Sequence, residues 1–358
     1  MTTYRFAAAH LHALTRRLFE AAGTPRPIAD DVAEILVNAN LAGHDSHGVL
    51  RVPAYLKSIA AGEIVPAAEP VILRETPGTL TIDGRSGFGH YTARWVMARL
   101  LEKARQADIC CANLINHTHI GRLGEYAEQA ARAGAIGIVM YGRTGVGRGG
   151  TAPYGGAASV LSTNPIAAGV PTGDDVPFIL DYATSKIAQG KVQVARSKGH
   201  DLPQGALIDK HGNPSVSPAD YFDGGVLLPF GEHKGYALSL LVALLTGLSG
   251  HFDMQRATVS GVFMQAINIS AFAPLDAYQR GVRAVLNAVK ATPPAPGFSE
   301  VLAPGEPEHR ARAHRLAHGI EVPASTYREI EQCALMLGVS PTTDHIDSAD
   351  SRRYRTPA

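Results

Sequence analysis

Residues 135–160 read AIGIVMYGRTGVGRGGTAPYGGAASV, and the fold turns on the residues after the strand-like AIGIVMY. Gly145, Gly147 and Gly150 satisfy the G-x-G-x-x-G spacing of a dinucleotide-binding turn. That spacing works when the last glycine opens a helix, because the free N–H groups of its first turn receive the pyrophosphate. Here Pro153, Gly155 and Gly156 stand where the helix would run, and both residue types are poor helix formers. The stretch is expected to be a long glycine-rich loop covering a site. The sheet that carries it is not expected to be a Rossmann sheet.

Outward from this loop, TLTID (79–83), ICCANLI (109–115), FILDY (178–182), GVLLP (225–229) and MQAINISAF (264–272) read as strands, and Thr92 to Gln106 as a helix with basic residues late in it. The strands are not spaced by regular helices of about ten to fifteen residues, so a mixed sheet is expected instead of repeating βαβ units. Upstream, Leu11, Leu14 and Leu18, then Ile28, Val32, Ile35, Leu36 and Ala39, recur at helical spacing; Pro25 and Pro27 open the second helix and Gly43 ends it. Ala237 to Leu248 is an apolar run broken by Ser239, Thr246 and Gly247, short of the roughly 18 to 20 residues of a bilayer span, and reads as a buried core helix. Glu308 to His318 and Thr326 to Leu337 read as helices, the latter opened by a Thr326/Glu329 capping box. The polar tail from Asp344 is expected to fray. The chain divides into a helix-rich part, residues 1–115 with 305–358, and an α/β part, residues 116–304.

The 358 residues, 45% of them hydrophobic, suffice for about two domains and a full core. Thirty-three basic residues balance 32 acidic ones, so no single-sign field is available to grip nucleic acid or an anionic membrane. His10, His12, Arg16 and Arg17 interrupt the first twenty residues where a signal peptide needs an apolar segment, and a cytoplasmic location is expected. Cys110, Cys111 and Cys333 cannot make a disulfide framework and read as core thiols.

Two stretches concentrate proton chemistry. Gly43-His44-Asp45-Ser46-His47-Gly48-Val49 is followed by Arg51 and Tyr55, and Asn116-His117-Thr118-His119-Ile120-Gly121 by Gly124 and Tyr126. Histidine exchanges a proton near neutral pH. The same residues admit a rival reading: His44, His47, His117 and His119 offer four imidazoles to a transition metal, as in a metal-dependent hydrolase or a metal-binding protein. The chain has no H-E-x-x-H helix, no ligand-spaced cysteine pair and no G-x-S-x-G elbow, so no metal is expected.

DSHGVLRVPAY (45–55), NHTHIGRLGEYAE (116–128), STNPIAAGVPT (162–172), FILDYATS (178–185), LLPFGEHKGYALSLLVALLTGLSG (227–250) and LAPGEPEHRARAHRLAHGI (302–320) occur in that order. Over about residues 5–340 the chain resembles the malate/L-lactate dehydrogenase family of NAD(P)-dependent oxidoreductases, which includes sulfolactate dehydrogenases. The resemblance implies a sulfolactate dehydrogenase-like α/β fold, with a non-Rossmann mixed-sheet domain at 116–304 that binds NAD or NADP. It makes the helix-rich part a substrate and dimerisation domain, and implies a homodimer with the active site in the interdomain cleft. The implied reaction moves a hydride between NAD(P)H and a small 2-oxo or 2-hydroxy acid of the malate, lactate or sulfolactate kind. Reduction of cyclic imino acids and oxidation of ureidoglycolate, also found in the family, stand as alternatives.

The resemblance also assigns residues. The histidine of D-S-H-G, here His47, carries an acid/base role, with Ser46 and the aspartate of D-x-A-T-S, Asp181, beside it; another member has its catalytic histidine in H-x-G, here His119. Both histidines stand. The family's cofactor-contacting stretches fall on His119, Asn164 and Pro165, on Asp181, Tyr182, Ala183, Thr184 and Ser185, on His233, Lys234 and Gly235, and on Pro304, Gly305 and Glu306. Chemistry agrees with these roles. Hydride delivery to a 2-oxo acid puts negative charge on the carbonyl oxygen, which needs a proton donor in reach, and a histidine oriented by a carboxylate suits that, so His47 is expected to pair with Asp181. Arg51, four residues on, is expected on the same helix face as a bidentate clamp for the substrate carboxylate, with Tyr55 lining the pocket. Lys234, at a helix start, suits a phosphate or carboxylate of the cofactor. Arg143 and Arg148 in the glycine-rich loop would favour a second anionic group on the substrate.

Overall fold

The structure, a computed structural model, describes residues 3–147 and 150–341; Arg148 and the tail from Asp344 lie outside the described residues. The chain opens with β1 (Thr3–Phe6), α1 (Ala8–Ala21), α2 (Arg26–Leu41) and α3 (Val52–Ala60). There follow β2 (Val71–Glu75), β3 (Thr79–Asp83), α4 (Gly89–Ala107), β4 (Ile109–Ile115), α5 (Gly124–Arg132) and β5 (Ala135–Arg143). The middle holds β6 (Ile166–Val170), β7 (Phe178–Tyr182), α6 (Gln189–Lys198), β8 (Leu207–Ile208), β9 (Pro214–Ser215), α7 (Pro218–Phe222) and β10 (Val226–Leu227). The rest is α8 (His233–Thr246), β11 (Phe252–Asp253), β12 (Thr258–Asn268), α9 (Leu275–Lys290), α10 (Glu306–His318), β13 (Ile320–Pro323) and α11 (Ala324–Met336).

The main sheet has the order β2-β3-β4-β12-β5-β6-β7, with β11 added to β12. β3 and β4 run parallel, and every other pairing in it is antiparallel. β4 is covered on both faces: Cys110, Ala112 and Leu114 pack toward α4 and α5 with Val96, Met97, Leu100 and Tyr126, while on the other side Cys111 meets Val242 and Leu245 of α8 and the Asn113 amide donates to the Leu245 carbonyl. The glycine-rich loop after β5 opens no helix; Thr144 and Thr151 each bridge to Leu161, and Thr151 also to Leu227. Since β4 pairs with β12, the expected division at residue 115 falls inside the sheet.

A second core joins the two ends of the chain. Leu11, Leu14 and Leu18 of α1 and Val32 and Leu36 of α2 pack with Tyr327 and Ile330 of α11, and β1 pairs antiparallel with β13 beneath them. A small lobe of α6, α7 and the β10-β8-β9 sheet closes on Val192, Leu202, Leu207 and Tyr221.

Several expectations are corrected. α8 is buried on one side only: its Leu241 and Leu244 are 50% and 54% exposed, as is Leu248 just past its end at 66%, because its inner side meets β5 and β12. α11 starts two residues before Thr326, behind Pro323 and without a side-chain cap, so the capping-box residues lie inside the helix. MQAINISAF is a strand only to Asn268, where a 3-10 turn (Ile269–Ala271) takes over, and of GVLLP only Val226–Leu227 pair as a strand. Among the thiols Cys110 is buried, while Cys111 and Cys333 are half-buried.

Candidate active site

The D-S-H-G stretch is not helical. It makes two short 3-10 turns, Asp45–His47 and Val49–Arg51, separated by Gly48 in extended backbone, before α3 begins at Val52. His47 and Arg51 therefore do not share a helix face as expected; folding of the turns brings them together, with Arg51 Nε donating to the Ser46 carbonyl at 2.9 Å. Buried Asn40, at the end of α2, pins the turn: its amide donates to Asp45 Oδ1 at 2.7 Å and accepts from the Val49 N–H at 2.8 Å. Arg315 of α10 takes both oxygens of Asp45, and Glu308 of the same helix lies 3.2 Å from His44 Nε2. α10 thus holds the turn from outside.

His47 and His119 meet over this frame, their rings stacked at 5.7 Å and 20°. Ser46 Oγ lies 3.0 Å from His47 Nδ1, and the Tyr55 hydroxyl 2.6 Å from His119 Nδ1. Burial, helped by Arg51, His44 and Arg122, lowers His47 to about 4. His119 keeps an open edge to solvent, yet its crowded ring is held well below the usual histidine range by desolvation first, then by His90, His47 and Arg51. Both imidazoles are neutral near pH 7, as a group that accepts a hydroxyl proton must be. Arg51 is half-buried, and among the described residues its Nη1 and Nη2 make no hydrogen bond or ion pair: a planar cationic fork left open beside two neutral histidines.

Asp181 is elsewhere. Its Oδ2 accepts the Gly124 N–H at the start of α5, 2.8 Å away, and its charged neighbours are Arg122, His44 and Glu308, with burial holding its pKa up. The expected His47–Asp181 pair is thus corrected: Ser46, next in sequence, is what touches the ring. The convergence of His44, His47, His117 and His119 that the rival metal reading would need is not found, since His44 turns to Glu308 and His117 stacks edge-on against Tyr141. Arg143 is exposed at the end of β5, and adds its charge to the burial that lowers His117.

The candidate cofactor stretches are partly gathered. The Thr184 N–H donates to Thr163 O at 2.8 Å, Phe230 N–H to Thr184 O at 3.0 Å, and the Asn164 amide to Ser239 O at 3.1 Å, so residues 163–165, 182–185 and the start of α8 form one surface. The buried side chains of Asn164, Thr184 and Ser185 are spent on backbone partners and shape this surface from beneath; Pro165, Ala183 and Gly235 lie along it. Tyr182, His233 and Lys234 are exposed on it. Past Ser185 the chain enters α6, and Gly190 in its first turn lies so close to Ser46 that a Cβ there would stand 2.8 Å from Ser46 Cβ. This contact joins the surface to the histidines. Pro304, Gly305 and Glu306 sit instead toward the start of β7, where Pro304 O accepts the Ile179 N–H at 3.1 Å, and Glu306 is tied to Lys290 and the Ala303 N–H.

Sequence reading missed Asn40, Arg122 and His90. Asn40 is a polar residue on an otherwise apolar helix face, which was a legible sign; His90 had none, since its partner Tyr55 is 35 residues away, and the pairing of Arg122 with Glu128, six residues on, gives no sign of the site.

The sequence profile described as malate/L-lactate dehydrogenase matches residues 6–331. The chain is 37% identical over 351 residues to hydroxycarboxylate dehydrogenase B of Escherichia coli O157:H7, covering 95% of this chain and 96% of that one. It superposes on the crystal structure of malate dehydrogenase from Entamoeba histolytica with a TM-score of 0.89 at 28% identity, over 95% of this chain and 99% of the other. It also superposes on the crystal structure of delta1-piperideine-2-carboxylate reductase from Pseudomonas syringae pvar. tomato with a TM-score of 0.80 at 31% identity, over 92% and 99%.

Proposed function

The chain belongs to the malate/L-lactate dehydrogenase family, and from that premise we propose that it transfers a hydride between a nicotinamide cofactor, NAD or NADP, and a small 2-oxo or 2-hydroxy acid. The observation that carries the reading is the open guanidinium fork of Arg51 beside the stacked, neutral pair His47 and His119. A 2-hydroxy acid has a carboxylate one carbon away from its hydroxyl. Arg51 takes the carboxylate through two parallel hydrogen bonds, which turns the adjacent hydroxyl toward the histidines.

The residues present fit the cofactor. The first N–H groups of α8 and the exposed Lys234 offer a site for its pyrophosphate, and the surface of Tyr182, Ala183 and residues 163–165 runs from there toward Ser46. Bound there, the nicotinamide supplies the hydride acceptor and donor. The protein's own part is to hold the acid, orient its reacting carbon and exchange one proton at an imidazole nitrogen. In this reading the cofactor sits on a mixed, non-Rossmann sheet, residues 71–115 count with that sheet, and the helix-rich ends form the substrate side. The exposed leucines of α8 form a homodimer contact.

Assay of the purified protein with a panel of 2-oxo acids and cyclic imines against NADH and NADPH tests the proposal: turnover with one acid is expected, and failure to bind either cofactor in calorimetric titration overturns it. The likeness to the piperideine carboxylate reductase supports a second reading, reduction of a cyclic imine bearing the same carboxylate, which the imine arm of the panel detects.

A further inference from the structure

Beside the two stacked imidazoles lies a third histidine that neither the substrate nor the cofactor role uses. His90, in the first turn of α4, is 1% exposed. Its Nε2 lies 3.5 Å from the Tyr55 hydroxyl, whose nearer neighbour is His119 Nδ1 at 2.6 Å. Its Nδ1 is buried with no hydrogen-bond partner among the described residues. The rings are packed edge to face, His90 against His119 at 5.8 Å and against Tyr55 at 5.3 Å, and space for them is made at Gly121, whose φ is +70° and where a Cβ would stand 2.8 Å from His90 Cδ2 and Nε2. An unpartnered buried polar nitrogen destabilises the fold, because its desolvation is not offset by a hydrogen bond. An apolar ring would avoid that cost, so the reason for a histidine lies in its other nitrogen.

Tyr55 has one proton to give, and burial keeps that phenol protonated. If the proton points to His119 Nδ1, neutral His119 carries its own proton on Nε2, and that nitrogen cannot take another from a substrate hydroxyl. If it points to His90 Nε2, the Tyr55 oxygen is free to accept from His119 Nδ1–H, and His119 Nε2 keeps an open lone pair. The second arrangement also satisfies both N–H groups of the imidazolium once His119 is protonated. The other groups around His119 are His47, Arg51 and His117, and those around His90 are His47, Arg51 and Arg94. These oppose protonation as such; none of them is hydrogen-bonded to His119 Nδ1, which Tyr55 occupies.

We propose that Tyr55 and His90 are positioning residues that hold His119 in its Nδ1–H form, making His119 Nε2 the atom that exchanges the proton. In oxidation the hydrogen on the hydroxyl-bearing carbon leaves as hydride to the nicotinamide, the O–H bond breaks, its electron pair completes the C=O bond and the proton passes to His119 Nε2; reduction returns it. The inference rests on the dehydrogenase reading.

Nitrogen NMR of isotopically labelled histidine reads the tautomer directly in the parent, His90→Phe and His90→Gln, the last chosen because its amide oxygen can accept the Tyr55 proton. The parent is expected to show His119 protonated on Nδ1, His90→Phe on Nε2, and His90→Gln as the parent. In turnover, His90→Phe should lose at least about tenfold in kcat for oxidation with KM for the acid and cofactor affinity nearly unchanged, and the acid limb of its pH profile should move to lower pH; His90→Gln should recover most of both. An Nε2-protonated His119 in the parent, or a tautomer that His90→Phe leaves unmoved, overturns the proposal. Should the parent turn over no acid or imine, the dehydrogenase reading fails, and the tautomer still decides whether His90 orients His119. If His90→Phe does not fold, the parent and His90→Gln spectra with the Tyr55→Phe spectrum, expected to lose the Nδ1–H preference, decide it.

Discussion

Arg51 is the residue whose geometry says most about substrate. With Nε fixed on the Ser46 carbonyl, its remaining two nitrogens present the flat edge that matches a carboxylate. Lysine keeps the charge and loses the edge, so Arg51→Lys should raise KM for the acid and lower kcat/KM by about 2–4 kcal/mol, while cofactor affinity stays near the parent's. Steady-state kinetics with a parallel cofactor titration checks this; unchanged kinetics on every acid together with weaker cofactor binding would move Arg51 to the nucleotide. At this scale the sequence was a fair guide where the chemistry is local. His47, Arg51 and Tyr55 lie within nine positions, and their joint use was legible, though by the wrong geometry: Gly48 interrupts the expected helix and two 3-10 turns produce the same proximity. Asp181 was misplaced and His90 unseen for one reason: their contacts, to Gly124 and Tyr55, close loops of 57 and 35 residues, and no spacing rule reaches that far.

At the scale of elements, α8 shows why an apolar run does not settle burial. Its inner side is pressed on β5, where a Cβ at Gly142 would stand 2.7 Å from Ala243 Cα. Gly142→Ala should therefore lower stability by about 1–3 kcal/mol. Gly281, in α9, has nothing within 4 Å of its missing Cβ, so Gly281→Ala should instead be neutral or stabilising by up to about 1 kcal/mol. Thermal melts of the two variants should move in opposite directions or, at the least, differ in this order. The outer side of α8 carries Leu241 and Leu244 to the surface, with Leu248 just beyond the helix, and Leu244→Asp is expected to shift a dimer toward monomer in sedimentation, with the melt of the isolated protomer little changed. β3, β4 and β7 were read to the residue because each is a short apolar run with turn residues beside it. α9 is not among the helices read from the sequence: it has helical spacing but no buried residue, and its tie to the rest of the fold, Arg283 donating to the Thr172 carbonyl, spans 111 residues.

Over the whole molecule the fold holds several histidines neutral, His90 fully buried and His47 beside it, and this bears on stability. Burial lowers His47 to about 4 and His90 to about 3 from an ordinary 6.5, and lowers His117 and His119 in the same direction. Below pH 6.5 the unfolded chain therefore binds protons that the folded chain refuses, and stability falls with pH until the folded values are reached, by up to about 1.4 kcal/mol per pH unit for buried His90 and by less for the more exposed His47, His117 and His119. Glu308, lowered by its bond to His44, adds to the loss at the acid end, while Asp181, raised by burial, opposes it. The melting temperature should drop between pH 6.5 and pH 4, and His90→Gln, which removes one of these titrations, should flatten the drop; a melt that does not depend on pH in this window would contradict the buried cluster. That the sheet is mixed was legible in the irregular spacing of the strand-like runs, whereas its inclusion of residues 71–115 was not, because strand pairing across a crossover leaves no local mark.

The most direct test of the central claim tracks the hydride itself. The protein is given a 2-oxo acid that it turns over and a nicotinamide cofactor deuterated at the ring carbon that donates hydride, and the product is examined by mass spectrometry and proton NMR. The account predicts one deuteron, delivered to the carbon that carried the oxo group, with one cofactor oxidised per product formed and with the transfer greatly slowed in His119→Ala. Product without the label, or cofactor oxidation with no reduced acid, would contradict it.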